Sequence, residues 1–269
     1  MVGMGSPMTL TLQRNIILAL LVGVAAAAWV LLIRQQIGTA ADMRMDMYSP
    51  TMGMRAPLFL AVWIIMMIAM MFPTAAPMIL TFHQVQAAKQ GRGEAFVSTW
   101  VFVAGYMLVW GVTGILAFAG AAGAESLADH VGLSTATAAR IGGALLIVAG
   151  AYQLSPLKDL CLAKCRSPIG FILTSWRDGQ WGAVRMGLQH GLFCLGCCWL
   201  LFLALFPLGI MNVAAMAVVT LLVFAEKTLP AGKGIAKVSG VALLLYGAAV
   251  LVSPQALPTF QAADGMIMN

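Results

Sequence analysis

Charge is what this sequence has least of. Only 9% of its 269 residues are charged, against about 25% in an average soluble protein. Acidic side chains are scarcest, 9 against 15 basic ones, and there are 3 histidines and 5 cysteines. So little charge cannot clothe a solvated surface of this size, and no polar stretch is long enough to form a separate soluble domain. Also missing are a glycine-rich phosphate loop and a pair of carboxylates placed for acid–base work. The chain is therefore not expected to be an enzyme. The alternating pattern of β-barrel strands is absent too.

What is present is apolar: 61% of the residues are hydrophobic, in long runs. A helix satisfies its own backbone in lipid and needs about 20 apolar residues to cross it. The runs Asn15–Ile33, Pro57–Phe82, Phe96–Gly120, Ala138–Leu154, Met186–Pro207, Ile210–Phe224 and Ile235–Val252 predict an all-α fold, a polytopic integral membrane helical bundle of about seven transmembrane helices. Residues 1–269 form one transmembrane domain in this reading, with a Met-rich extracytoplasmic loop at 34–56 and a Cys-containing cytoplasmic loop at 155–185. Ala26 to Ala28 resemble a signal-peptide cleavage site, but the run continues to Ile33, which favours a retained span.

Basic residues set orientation. Eleven of the 15, among them Arg14, Lys89, Arg92, Lys158 and Lys227, fall on one side of this topology; Arg34, Arg44, Arg55 and Arg140 fall on the other. The N-terminus is then cytoplasmic and the C-terminus outside. Because the basic residues sit in short loops between spans, they report topology and give no reason to expect nucleic acid.

Within this apolar chain, Gly187–Trp199 reads GLQHGLFCLGCCW, one histidine and three of the five cysteines in a single span. At about 100° per residue, His190, Cys194, Cys197 and Cys198 fall at roughly 0°, 40°, −20° and 80°, on one helical face. Thiolate and imidazole suit Cu(I) and zinc. The plain alternative is packing, since free cysteine often serves as a small hydrophobe. His190 and Cys197 are about 10.5 Å apart along a helix, too far to share one ion. The pattern therefore predicts two stations: Cys194, Cys197 and Cys198 near mid-bilayer, and His190 separately toward the cytoplasm.

Span two adds Met66, Met67, Met70 and Met71, two pairs at i, i+4, followed by Pro73 and Pro77. Each proline removes a backbone donor and frees a carbonyl near Ala69 and Pro73; helices broken in this way often line cavities. The loop MRMDMYSPTMGM carries Met43, Met45, Met47, Met52 and Met54. Thioethers stay soft ligands in an oxidising compartment; the alternative is an amphipathic segment lying on the bilayer. On the cytoplasmic side, CLAKC holds Cys161 and Cys165 at i, i+4, with Lys158, Lys164 and Arg166 nearby to favour thiolates. Metal hand-off, a redox relay and inert packing all fit that spacing. His83 and Glu226 sit at span ends, where an interfacial role competes with a supporting one beside His190. Trp100, Tyr106 and Trp110 suggest lipid-facing anchors on span three.

Put in order of depth, these residues outline a route for a soft ion, most readily Cu(I) and alternatively zinc: the outer methionines, the span-two methionines facing the three cysteines, His190 with Glu226 or His83, then Cys161 and Cys165. The bilayer and the ion are then the first partners, with a cuproenzyme or soluble metal carrier beyond. The other readings are a thiol–disulfide electron relay across the membrane and a structural membrane subunit.

The segments MMFPTAAPM (Met70–Met78), YQLSPLKDLCLAKCRSP (Tyr152–Pro168), MGLQHGLFCLGCCW (Met186–Trp199) and the pair Glu226–Lys227 resemble those of the bacterial predicted metal-binding integral membrane proteins. The likeness runs from span two to span seven. It implies a bacterial inner (cytoplasmic) membrane protein. Some members of that family are implicated as membrane copper chaperones that help metallate a polyphenol oxidase. Carried over position by position, the implied metal-binding residues are His190, Cys194, Cys197, Cys198, Cys161, Cys165, Met70 and Met71.

Overall fold

The computed structural model describes residues 7–42, 50–51, 53–210 and 212–259. Met43, Met45, Met47 and Met52 lie outside the described residues, so most of the methionine loop has no structural counterpart here. The described residues fold into α1 (Pro7–Asp42), α2 (Ala56–Gly91), α3 (Thr99–Val131), α4 (Thr135–Gln153), α5 (Pro156–Cys165), α6 (Pro168–Ser175), α7 (Gly179–Leu208), α8 (Val213–Thr228) and α9 (Gly232–Val252), with a 3₁₀ turn at Pro254–Ala256. No strand occurs among them.

Among the described residues, six helices are long and apolar enough to cross a membrane: Leu10–Gly38 within α1, and α2, α3, α4, α7 and α9. The run expected as a further span, Ile210–Phe224, folds as α8, which has 16 residues. At 1.5 Å per residue it measures about 24 Å, less than a hydrocarbon core of about 30 Å. The segment 155–185, expected as a loop, contains α5 and α6. Ser155 caps α5 by accepting from the Lys158 amide, and Pro156 opens its first turn, where no amide donor is needed.

α2 packs between α1 and α3, α3 packs on α7, and α7 contacts α4 and α5. α2 runs unbroken through Pro73 and Pro77. The carbonyl that Pro73 cannot bond, that of Ala69, accepts instead from the indole nitrogen of Trp29 on α1 at 3.1 Å. The freed group thus fastens a neighbouring helix.

Tyr106 and Trp110, expected to face lipid, are fully buried, and Trp100 alone of the three is exposed. The reason is how closely α3 and α7 approach. A Cβ on Gly187 would lie 2.2 Å from the Phe102 carbonyl oxygen, and one on Gly105 would lie 2.4 Å from that of Val184. With no side chain at either position the backbones meet, and the bulky residues of α3 turn inward.

Candidate metal centre

The centre is built where α2, α5, α7 and α8 meet. Cys194, Cys197 and Cys198 occupy one buried face of α7, as the spacing predicts. Tyr152, in the last turn of α4, donates to the Gly196 carbonyl, and Lys227, in the last turn of α8, reaches Cys194. The thiols therefore stand level with the ends of α4 and α8, not with their midpoints. α7 begins at Gly179, seven residues before the expected Met186, and continues beyond that level.

α5 brings the remaining two cysteines alongside. Cys165 Sγ lies 3.9 Å from Cys197 Sγ, and the Cys161 sulfur lies 2.7 Å from where a Cβ on Gly196 would stand, a place only glycine leaves open. Cys161 and Cys165 thus join the span cysteines in one cluster, where separate stations were expected. All five are free thiols.

From α2, the Met71 sulfur lies 4.0 Å from Cys194 Sγ. Met66, Met67 and Met70 are buried in the same core. The Cys197 and Cys198 thiols donate to the Cys194 carbonyl at 3.1 and 2.8 Å, which any ion taking those sulfurs must displace. Among the described residues, no three His, Cys, Asp or Glu side chains converge as a ready-made ligand set. The Cys165 and Cys197 sulfurs form a two-sulfur pair, with Cys194 and a thioether adjoining.

His190 is one turn before Cys194, enclosed by rings. It stacks on Tyr106 at 5.5 Å and on Phe102 at 6.1 Å, and meets Phe171 edge-on at 5.7 Å. Its Nδ1 has no hydrogen-bond partner among the described residues. Tyr106 links it to the sulfurs, because the hydroxyl of that same ring lies 3.2 Å from Cys194 Sγ. His83 shares a 3.2 Å hydrogen bond between Nδ1 and Thr99 Oγ1, and its Nε2 is unpartnered among the described residues. Glu226 is engaged elsewhere: Oε2 accepts from Lys158 Nζ at 2.6 Å and Oε1 from Gln153 Nε2 at 3.0 Å.

Sequence reasoning reads Lys227 as a topology determinant and as half of the Glu226–Lys227 motif, and gives it no place at the sulfurs. Its ammonium donates to Cys194 Sγ at 2.9 Å and to Thr74 Oγ1 at 3.4 Å. The one available signal was its place directly after Glu226: two adjacent charges on a helix point about 100° apart, so they cannot share a partner. A cleft of about 230 Å³ reaches this point, lined by Thr74, Met78, Cys165, Arg166, Lys227 and Thr228 among others. Cys165 and Lys227 are the members of the cluster that line this cleft.

Outside the helices' apolar stretches, a polar clasp joins the ends of α2 and α7. Lys89 pairs with Asp178 and, at 3.3 Å, with Glu94; Arg92 pairs with Glu94 at 2.7 Å. The hydrogen bond from Lys89 holds the Asp178 carboxyl below its ordinary range, and that from Arg92 does the same for Glu94.

Compared with known proteins, the chain matches the model of the PpoB2 family, described as a copper chaperone, over residues 60–250. That stretch holds every described residue of the centre. No curated protein and no solved structure matches the chain.

Proposed function

The chain belongs to the PpoB2 copper chaperone family, and on that premise we propose that it is a membrane-embedded chaperone carrying Cu(I) on Cys165 and Cys197, with Cys194 and Met71 adjoining. The observation that carries this reading is the 3.9 Å separation of the Cys165 and Cys197 sulfurs. Two metal–sulfur bonds near the ~2.3 Å of zinc thiolates keep their sulfurs within about 4.6 Å, so an ion seats between these two with small side-chain movements. Thiolate and thioether together favour Cu(I) over harder cations. Copper is cargo here, and exchange at a two-sulfur station needs one ligand to leave as one arrives.

Exit toward the receiving partner runs through the cleft at Cys165. Met66, Met67 and Met70 continue the soft series along α2 toward the outer loop, where Met43, Met45 and Met47 gather copper. Cys198, Cys161 and His190 flank the station, and Glu226 and His83 support the helices around it. The bundle sits in the bacterial inner membrane with its N-terminus cytoplasmic, following the excess of basic residues on that side. α8 serves as the seventh span, its shortness met by local thinning of the bilayer. The receiving partner is a cuproenzyme or a soluble metal carrier, and the chain itself catalyses no reaction.

Anaerobic titration of the purified full chain with Cu(I) against a competing chelator tests the reading. Tight binding is expected in the wild type, weakened at least about a hundredfold in Cys165→Ser and in Cys197→Ser. Equal affinity in all three proteins sinks it.

The same pair of sulfurs favours one other reading, a thiol–disulfide relay. It requires a Cys165–Cys197 disulfide in resting cells and leaves Met71 idle. Differential alkylation that finds both thiols reduced in cells decides against it.

A further inference from the structure

Among the described residues, Lys227 is a charge in contact with the sulfur cluster that no carboxylate pairs with. Among the described residues its partners are Cys194 Sγ and Thr74 Oγ1, and the ion pairs involve other residues. The carboxylate of the adjacent residue, Glu226, is neutralised by Lys158 at 2.6 Å, with side chains 1% and 0% exposed. Arg166, the other cation at the cleft, spends its guanidinium on the carbonyls of Glu226, Leu229 and Pro230. Lys227 is anchored on α8 and lines the cleft beside Cys165.

We propose that Lys227 sets the valence of the cargo, making the sulfur cluster selective for a monovalent soft cation over a divalent one. The argument rests on the copper reading above and on Coulomb's law. Thiolates attract any cation; the fixed ammonium repels it, and it repels a divalent ion twice as strongly as a monovalent ion in the same place. With two thiolates, Cu(I) and Lys227 the loaded site is neutral, whereas Zn(II) in place of Cu(I) leaves one positive charge enclosed by apolar helices. Burying an unbalanced charge is costly. Without the ammonium the order reverses, because Zn(II) on two thiolates is neutral and Cu(I) leaves a buried anion.

The test uses the purified full chain in micelles under reducing, anaerobic conditions. Affinities for Cu(I), for Ag(I) as a redox-inert monovalent probe and for Zn(II) are measured by chelator competition in the wild type, Lys227→Met, Lys227→Gln and Lys227→Arg. In both neutral variants the Zn(II)-to-Cu(I) affinity ratio is expected to rise at least about tenfold, and Ag(I) to follow Cu(I). Lys227→Arg keeps the charge and the wild-type ratio. Lys227→Gln retains a hydrogen-bond donor for Cys194 and Thr74, so a ratio restored by glutamine overturns the charge argument in favour of hydrogen bonding. A ratio unchanged in both neutral variants, with copper still bound, overturns the inference alone. A wild type that binds no Cu(I) overturns the functional reading and this inference with it.

Discussion

Glu226 and Lys227 are neighbours on α8, yet they face two different environments. Glu226 meets Lys158 and Gln153 in a sealed junction of α4, α5 and α8, with both carboxylate oxygens engaged. Lys227 meets a thiol and a hydroxyl at the edge of a cleft. A buried charge whose partners match it in number and hardness is a fastening, and its removal is felt as lost stability. A buried charge matched only by soft, exchangeable partners beside an opening is a working part, and its removal is felt in what binds. The predictions below test that contrast.

The largest effect on stability belongs to the fastening. Glu226→Gln or Lys158→Met leaves an unpaired buried charge and is expected to cost about 3–5 kcal/mol. The double change Lys158→Met with Glu226→Leu recovers most of that. Denaturant unfolding in mixed micelles measures both; a single variant as stable as the double would place the pair outside the packed core. The thiols should behave oppositely. Cys165→Ser and Cys197→Ser are expected to shift stability by under about 1.5 kcal/mol while removing tight Cu(I) binding. Equal damage to stability and binding would erase the distinction between the two regions.

Met71→Leu comes next. The swap conserves volume, so stability changes by under about 1.5 kcal/mol. Loss of the thioether 4.0 Å from Cys194 should weaken Cu(I) binding several-fold, read in the same titration. The smallest effect is expected at the Lys89–Asp178 and Arg92–Glu94 clasp. Hydrogen bonds lower both carboxyls in the folded state, so the clasp contributes fully above their unfolded values near pH 4. Its contribution fades as pH falls through the lower folded values. The protection factors of the Arg92 and Glu94 amides, taken against intrinsic exchange rates at each pH, should fall with acid in the wild type and change less in Asp178→Asn.

How far the sequence reveals this depends on the range of each interaction. The face shared by Cys194, Cys197 and Cys198 is legible, because helical spacing alone puts them together. So is the carbonyl freed at Ala69, because proline acts one turn away; that Trp29 takes it is not. The helices α5 and α6 are hidden by their shortness, and with them the meeting of Cys165 with Cys197, which depends on how a ten-residue helix folds back on α7. Tyr106 looks like an interfacial anchor until the glycines of α3 and α7 are seen to bring the two backbones together. Lys227 is the clearest miss, since a cation–thiol contact 33 residues apart in the chain leaves no periodicity behind.

X-ray absorption at the copper edge, on the purified full chain loaded with one equivalent of Cu(I), tests the central claim most directly. The account predicts a shell of sulfur alone, two or three atoms, that is lost from the Cys165→Ser, Cys197→Ser double variant. A shell dominated by nitrogen or oxygen, or a sulfur shell that survives the double change, would contradict it.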